Sequence, residues 1–148
     1  MSFRPVMTAF TEGIHAVDAL LWRAWDGVVA DLWHAEGIEG GGGHYLSPDP
    51  RVVIFLDDGA SAIRLSDTPC GTGYYASGRI FYVPADMPLW SQIVQTRRFR
   101  HLDLHFDKAM LASRLTRQFG AAQAQAALAR PVMLDDHPGI TQIAALLA

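Results

Sequence analysis

The run His101-Leu102-Asp103-Leu104-His105 sets three side chains able to bind a metal or move a proton at every second position. In a β-strand alternate residues share a face. Phe99, His101, Asp103 and His105 therefore lie on one side, with Arg100, Leu102, Leu104 and Phe106 on the other. Open metal sites are built from such imidazole and carboxylate ligands, usually three of them. Along an extended strand, however, His101 and His105 stand about 13 Å apart at ~3.3 Å per residue, too far for both to reach one ion. Either histidine with Asp103 makes a partial site at most, so no metal and no cofactor is expected. Two readings remain: the three groups line a pocket of sugar or organic-acid size, or they form a structural network. Buried unpaired they would be costly, so pairing with Arg79, Arg97, Arg98 or Arg100 is the structural expectation.

Other reactive residue types lack the neighbours that chemistry needs. Cys70, between Pro69 and Gly71, has no base or cation nearby in sequence to lower its pKa and reads as an incidental surface thiol. As the only cysteine it cannot form an internal disulfide, which suits a reducing compartment. The four glycines Gly40 to Gly43 lack the strand before, the helix after and the Lys-Ser/Thr pair of a phosphate cradle, and Ser47-Pro48-Asp49-Pro50 follows. They read as a loop. No serine sits in a Gly-x-Ser-x-Gly elbow, and Asp57-Asp58 is explained by its turn. His15 and His34 border apolar runs as rim histidines, and His137 precedes a proline at a helix start. The chain is expected not to be an enzyme.

Length and composition fit one soluble domain. A chain of 148 residues, half hydrophobic and 18% charged, can bury a true core. No apolar run approaches the roughly 20 residues of a membrane-spanning helix, and no signal-like start is visible, so a cytoplasmic protein without membrane partners is expected. A net charge of −3 leaves no basic excess for phosphate contacts. Arg97-Arg98-Phe99-Arg100 reads as a solvated hairpin end.

The elements that must hold these residues are mostly strands. Asp26-Gly27 between the runs Val17 to Trp25 and Val28 to Trp33 signals a hairpin. Val52 to Leu56, a turn at Asp57-Asp58-Gly59 and a return strand at Ala62 to Leu65 follow. Pro69 to Gly73 breaks the chain before Tyr74-Tyr75, and Ser77-Gly78 turns into Arg79 to Val83. Trp90 to Thr96 and Phe99 to Phe106 complete the β portion. From Asp107, a plausible N-cap, Met110, Leu111, Leu115 and Phe119 recur at helical spacing to Gly120. Ala121 to Ala129 favours a second helix, ended by Arg130-Pro131. A third begins near His137-Pro138 with Ile140, Ile143, Ala144 and Leu147 on one stripe, and reaches Ala148 uncapped, as a helix cut short would. The fold class is mainly β, a jelly-roll barrel at 1–106 followed by a helical segment at 107–148 of the same structural domain.

Three stretches carry a family resemblance. Gly42-Gly43-His44-Tyr45-Leu46-Ser47-Pro48-Asp49-Pro50-Arg51 with its following strand, Phe81-Tyr82-Val83-Pro84-Ala85-Asp86-Met87-Pro88-Leu89-Trp90, and Phe99-Arg100-His101-Leu102-Asp103-Leu104-His105-Phe106-Asp107 before a helix resemble the N-terminal sensor domain of AraC-type transcription regulators. Asp86 stands where that family usually has glycine. The resemblance implies a cupin-like barrel that binds a small-molecule effector, helices that pair two subunits into a homodimer, and a helix-turn-helix DNA-binding domain beyond Ala148. Leu89 and Trp90 follow Pro88 where metal cupins carry a histidine, a departure that argues against a metal enzyme. Candidate ligand-binding residues are Trp33, Tyr45, Arg51, Phe81, Trp90, His101 and His105; candidate dimerisation residues are Leu111, Leu115 and Phe119. The aromatic set, with Trp22, Trp25, Phe55 and Tyr82, is otherwise expected in the core. The alternatives are a stand-alone cupin enzyme or small-molecule binder, and a structural dimerisation module whose barrel is filled by side chains.

Overall fold

A computed structural model describes residues 2–69, 74–75 and 78–148; Cys70 and Ser77 lie outside the described residues. The chain opens with three strands that pair in succession: β1 (Thr8–Ala16), β2 (Leu21–Trp25) and β3 (Val28–Leu46). Gly27, at φ 71°, makes the tight turn between β2 and β3, as its Asp-Gly sequence requires.

The glycine run is not a loop. Gly40 to Gly43 lies inside β3, which pairs with β1 on its way through. A Cβ on Gly41 would stand 2.7 Å from the Glu12 carbonyl oxygen, and one on Gly42 would stand 2.3 Å from that of Ser91. Glycine is used here for close backbone approach. Gly13 and Gly40, both at positive φ, bend the pair where the register shifts between Glu12 and Ile14. Strand β1 itself, in the region before Ala16, has no counterpart in the sequence reading.

The remaining strands are β4 (Arg51–Phe55), β5 (Ile63–Ser66), β6 (Tyr74–Tyr75), β7 (Ile80–Val83), β8 (Leu89–Ile93), β9 (Arg97–Phe106) and β10 (Val132–Leu134). All pairings among the described residues are antiparallel, in the order β10-β7-β4-β9-β3-β8-β5-β6, with β1 and β2 also on β3. The segment after the Asp57 turn is therefore not a return strand. β5 pairs with β8 and β6 rather than β4, because the chain crosses through a short 3-10 turn at Asp58–Ala62. Asp57 fixes that crossing by accepting hydrogen bonds from the Gly59 and Arg100 amides at 2.9 and 3.0 Å. The sheet curls so that one face looks inward across a cavity.

The outer face of β4, β7 and β9 is covered by a helix. After α1 (Lys108–Phe119) and α2 (Ala121–Leu128), β10 adds to β7 and delivers α3 (Pro138–Leu147) onto Ala30, Ile54, Ile80 and Leu102, with Ala144 fully buried against them. Covering both faces explains why Val52-Val53-Ile54-Phe55 is apolar without alternation. Ile140, Ala144 and Leu147 supply the contact, whereas Ile143, expected on the same stripe, is 59% exposed. Asp107 caps α1 by accepting from the Met110 amide at 2.9 Å. No helix among the described residues is long and apolar enough to cross a membrane.

Candidate functional site

Opposite residues of an antiparallel pair share a face, so the register fixes what lies inside. Trp33 on β3 pairs with His101 on β9, which pairs with Phe55 on β4. One pleat along, Asp31 pairs with Asp103, which pairs with Val53; next, Val29 pairs with His105, which pairs with Arg51. The inward rows thus run from aromatic to ionic within three residue pairs.

A cavity of about 320 Å³ opens against these rows. That is the low end of the range of about 300–1,000 Å³ typical of ligand pockets. Its walls are apolar, from Ile14, Trp33, Val53, Phe55, Leu65 and Phe99 among others, and β1, with Met7 just before it, adds Met7, Ala9 and Thr11. Apart from Thr11, the polar lining residues are Arg51, Asp103, His101, Tyr45 and Ser91, joined to one another at one end. His101 Nδ1 donates to Asp103 Oδ1 at 3.1 Å, and an Arg51 guanidinium nitrogen lies 3.8 Å from Asp103 Oδ2. The guanidinium also sits over the Tyr45 ring, 5.5 Å from its centroid. Tyr45 and Ser91 hydroxyls bond each other at 3.1 Å.

These contacts set the protonation of the two buried acids. Burial alone would raise the Asp103 pKa, but the charge of His101, its hydrogen bond, and the charges of Arg51 and His105 together hold it down at about 2. Burial pushes the Tyr45 phenol above its ordinary value, against the opposing pull of Ser91 and Arg51. Asp103 is thus a carboxylate and Tyr45 a neutral phenol at neutral pH.

Four of the seven candidate ligand residues, Trp33, Tyr45, Arg51 and His101, line the cavity. Phe81 does not: it is fully buried in the core row beside Val53. Trp90 points outward between the inward Leu89 and Ser91, and its ring stacks on His44 at 4.5 Å, 13° from parallel. His105 faces inward without lining the cavity. Its Nε2 donates to Asp31 Oδ2 at 3.1 Å, and its Nδ1 is buried without a hydrogen-bond partner among the described residues. The partners of the His-Asp-His run are therefore Arg51 and Asp31 rather than the expected arginines: Arg79 pairs with Asp58, Arg98 with Glu36, and Arg97 bonds Ser61. Arg97 and Arg98 are near the run in sequence, but Arg51 reaches it through β-pairing. Asp103, Phe55, Phe99 and Ser91 were not among the ligand candidates, although Asp103 and Phe99 share the His101 face and could have been found by that periodicity.

The donor set does not fit a metal. Among the described residues no three His, Cys, Asp or Glu side chains converge as ligands, and Asp103 has a guanidinium within 3.8 Å. A cation there would meet a cation already in place.

The chain's own topology defines the class: a mainly β domain whose antiparallel sheet curls into a half-barrel, with C-terminal helices after it. No family model matches the sequence, and no curated protein matches it. Among solved structures it is similar to the Cnp3 cupin domain of Schizosaccharomyces pombe, at 14% identity over 70% of this chain and 71% of that one, with a TM-score of 0.48. It is also similar to a conserved protein of unknown function from Streptococcus pyogenes, at 17% identity over 72% and 79% of the two chains, with a TM-score of 0.40.

Proposed function

We propose that this is the effector-binding and dimerisation domain of an AraC-type transcription regulator, a cytoplasmic binder rather than an enzyme. It takes a small molecule into the barrel, pairs with a second copy through its helices, and works on DNA only through a separate helix-turn-helix domain. The observation that carries the reading is the cavity: apolar walls with buried Arg51 and Asp103 and half-buried His101 converging at one end, on the scaffold whose sequence resembles that family's sensor. A barrel meant only as structure would fill this space with side chains. An effector acts by binding one arrangement of the dimer better than another, and it shifts the population by that difference alone.

The test is a melting-temperature screen of small metabolites against the chain and against Ala9→Phe, which puts a ring into the cavity mouth from the exposed face of β1. Hits that raise the melting point of the parent and not of the variant support the reading. Hits indifferent to Ala9→Phe, or none at all, overturn it.

A further inference from the structure

The polar end of the cavity sets Arg51 against Asp103 and leaves guanidinium donors unspent. Among the cavity-lining residues the formal charges are Arg51 and Asp103, which face each other at 3.8 Å, with His101 bonded to the same carboxylate. Asp103 stays ionised down to about pH 2, so this compensation persists at any physiological pH. Arg51 is only 5% exposed, yet among the described residues its guanidinium makes no hydrogen bond; the contact to Asp103 is too long to be one. Its face is occupied by Tyr45, leaving the N–H edge as the free part. Tyr45 and Ser91 bond each other.

The Arg51 guanidinium lines the cavity, so an acceptor that enters the cavity can meet its free N–H groups. A second carboxylate would reach the same donors, but it would stand beside the ionised Asp103 and repel it at close range. A purely apolar molecule would fill the walls and leave the donors unmet. We infer that the cavity takes an uncharged, largely apolar molecule ending in a carbonyl-type hydrogen-bond acceptor that meets the Arg51 guanidinium. This rests on the cavity being a ligand site, and it names the chemistry of what enters.

Three probes of one shape separate the alternatives: acetophenone, benzoate and ethylbenzene, titrated against the whole chain at neutral pH by ligand-observed NMR. Acetophenone is expected to bind at least about tenfold more tightly than either, the increment of one hydrogen bond to a charged donor. The double variant Arg51→Met with Asp103→Asn, which keeps the charge balanced, is expected to bring acetophenone down to the ethylbenzene level. Benzoate or ethylbenzene binding as well as acetophenone overturns the inference and leaves the cavity a ligand site. Failure of all three at millimolar concentration removes the ligand-site reading itself. The parent series decides even if the double variant does not fold.

Discussion

Asp31 and Asp103 stand directly opposite each other across β3 and β9, two carboxylates on neighbouring strands of one inward face. Such a pair repels in a low dielectric unless each acid has its own partner. His105 serves Asp31 and His101 serves Asp103, each at 3.1 Å, while Arg51 approaches Asp103 from β4. The network spans three strands, so it couples the cavity end to the pairing of β3, β9 and β4.

The stability of the fold should carry the signature of Asp103. Its folded pKa, about 2, lies below its ordinary 3.8. Its ionisation therefore contributes stability that is fully present above pH 3.8 and lost as the pH falls through about 2. At about 1.4 kcal/mol per pH unit, the difference is about 2 kcal/mol. Denaturant unfolding of the parent between neutral pH and pH 2 should show this decline, and Asp103→Asn should be less stable at neutral pH with a correspondingly flatter acid limb. Parallel profiles for the two proteins would contradict the network.

Phe81 and Trp90, both candidate ligand residues, should behave as their placements dictate. Phe81→Ala empties a fully buried position and should cost about 3–5 kcal/mol in urea unfolding. Trp90→Ala removes an outer-face stack on His44 and should cost only about 1 kcal/mol. Equal losses would show that the outer face is packed more tightly than the His44 stack implies.

Two glycines of β3 should differ in where their replacement disturbs the sheet. Gly42→Ala drives a methyl to 2.3 Å from the Ser91 carbonyl oxygen, so β3 and β8 must separate, at about 1–3 kcal/mol. Gly40→Ala meets nothing within 4 Å and carries only the penalty of its φ of +87°, about 1–2 kcal/mol. Amide hydrogen exchange should distinguish them: loss of protection at β8 is expected for Gly42→Ala and not for Gly40→Ala.

The same glycines show where sequence reasoning stopped. Local signals were legible where local chemistry decides: the Asp26-Gly27 turn, the Asp107 cap and the alternation from Phe99 to His105 all read correctly. The glycine run looked like a loop because its reason for being glycine is the neighbouring backbone, Glu12 on one side and Ser91 on the other, which no window of sequence contains. Likewise Arg51 lies 52 positions from Asp103, and only the β4–β9 register brings them together. β1 was missed because an exposed edge strand lacks the apolar alternation of a core one. The site was legible as a face of one strand, and not as a cavity between several.

Helix α1 supplies the last prediction. It packs on α2 and has no fully buried residue, with Leu111 and Leu115 half-buried and Phe119 51% exposed. A helix left with so much apolar surface is stabilised when a second copy covers it. Replacing Leu111 and Leu115 by glutamate should leave the barrel folded, since neither side chain belongs to the two buried core clusters, and, on the proposed pairing of two copies through the helices, should give monomers on light scattering where the parent gives dimers. Circular dichroism and acetophenone binding should be close to those of the parent, because the cavity is lined by strands and receives no residue from α1. Dimers that survive the double substitution would place the subunit contact elsewhere, with the exposed Leu21, Trp22 and Trp25 of β2 as the next apolar surface to test in the same way.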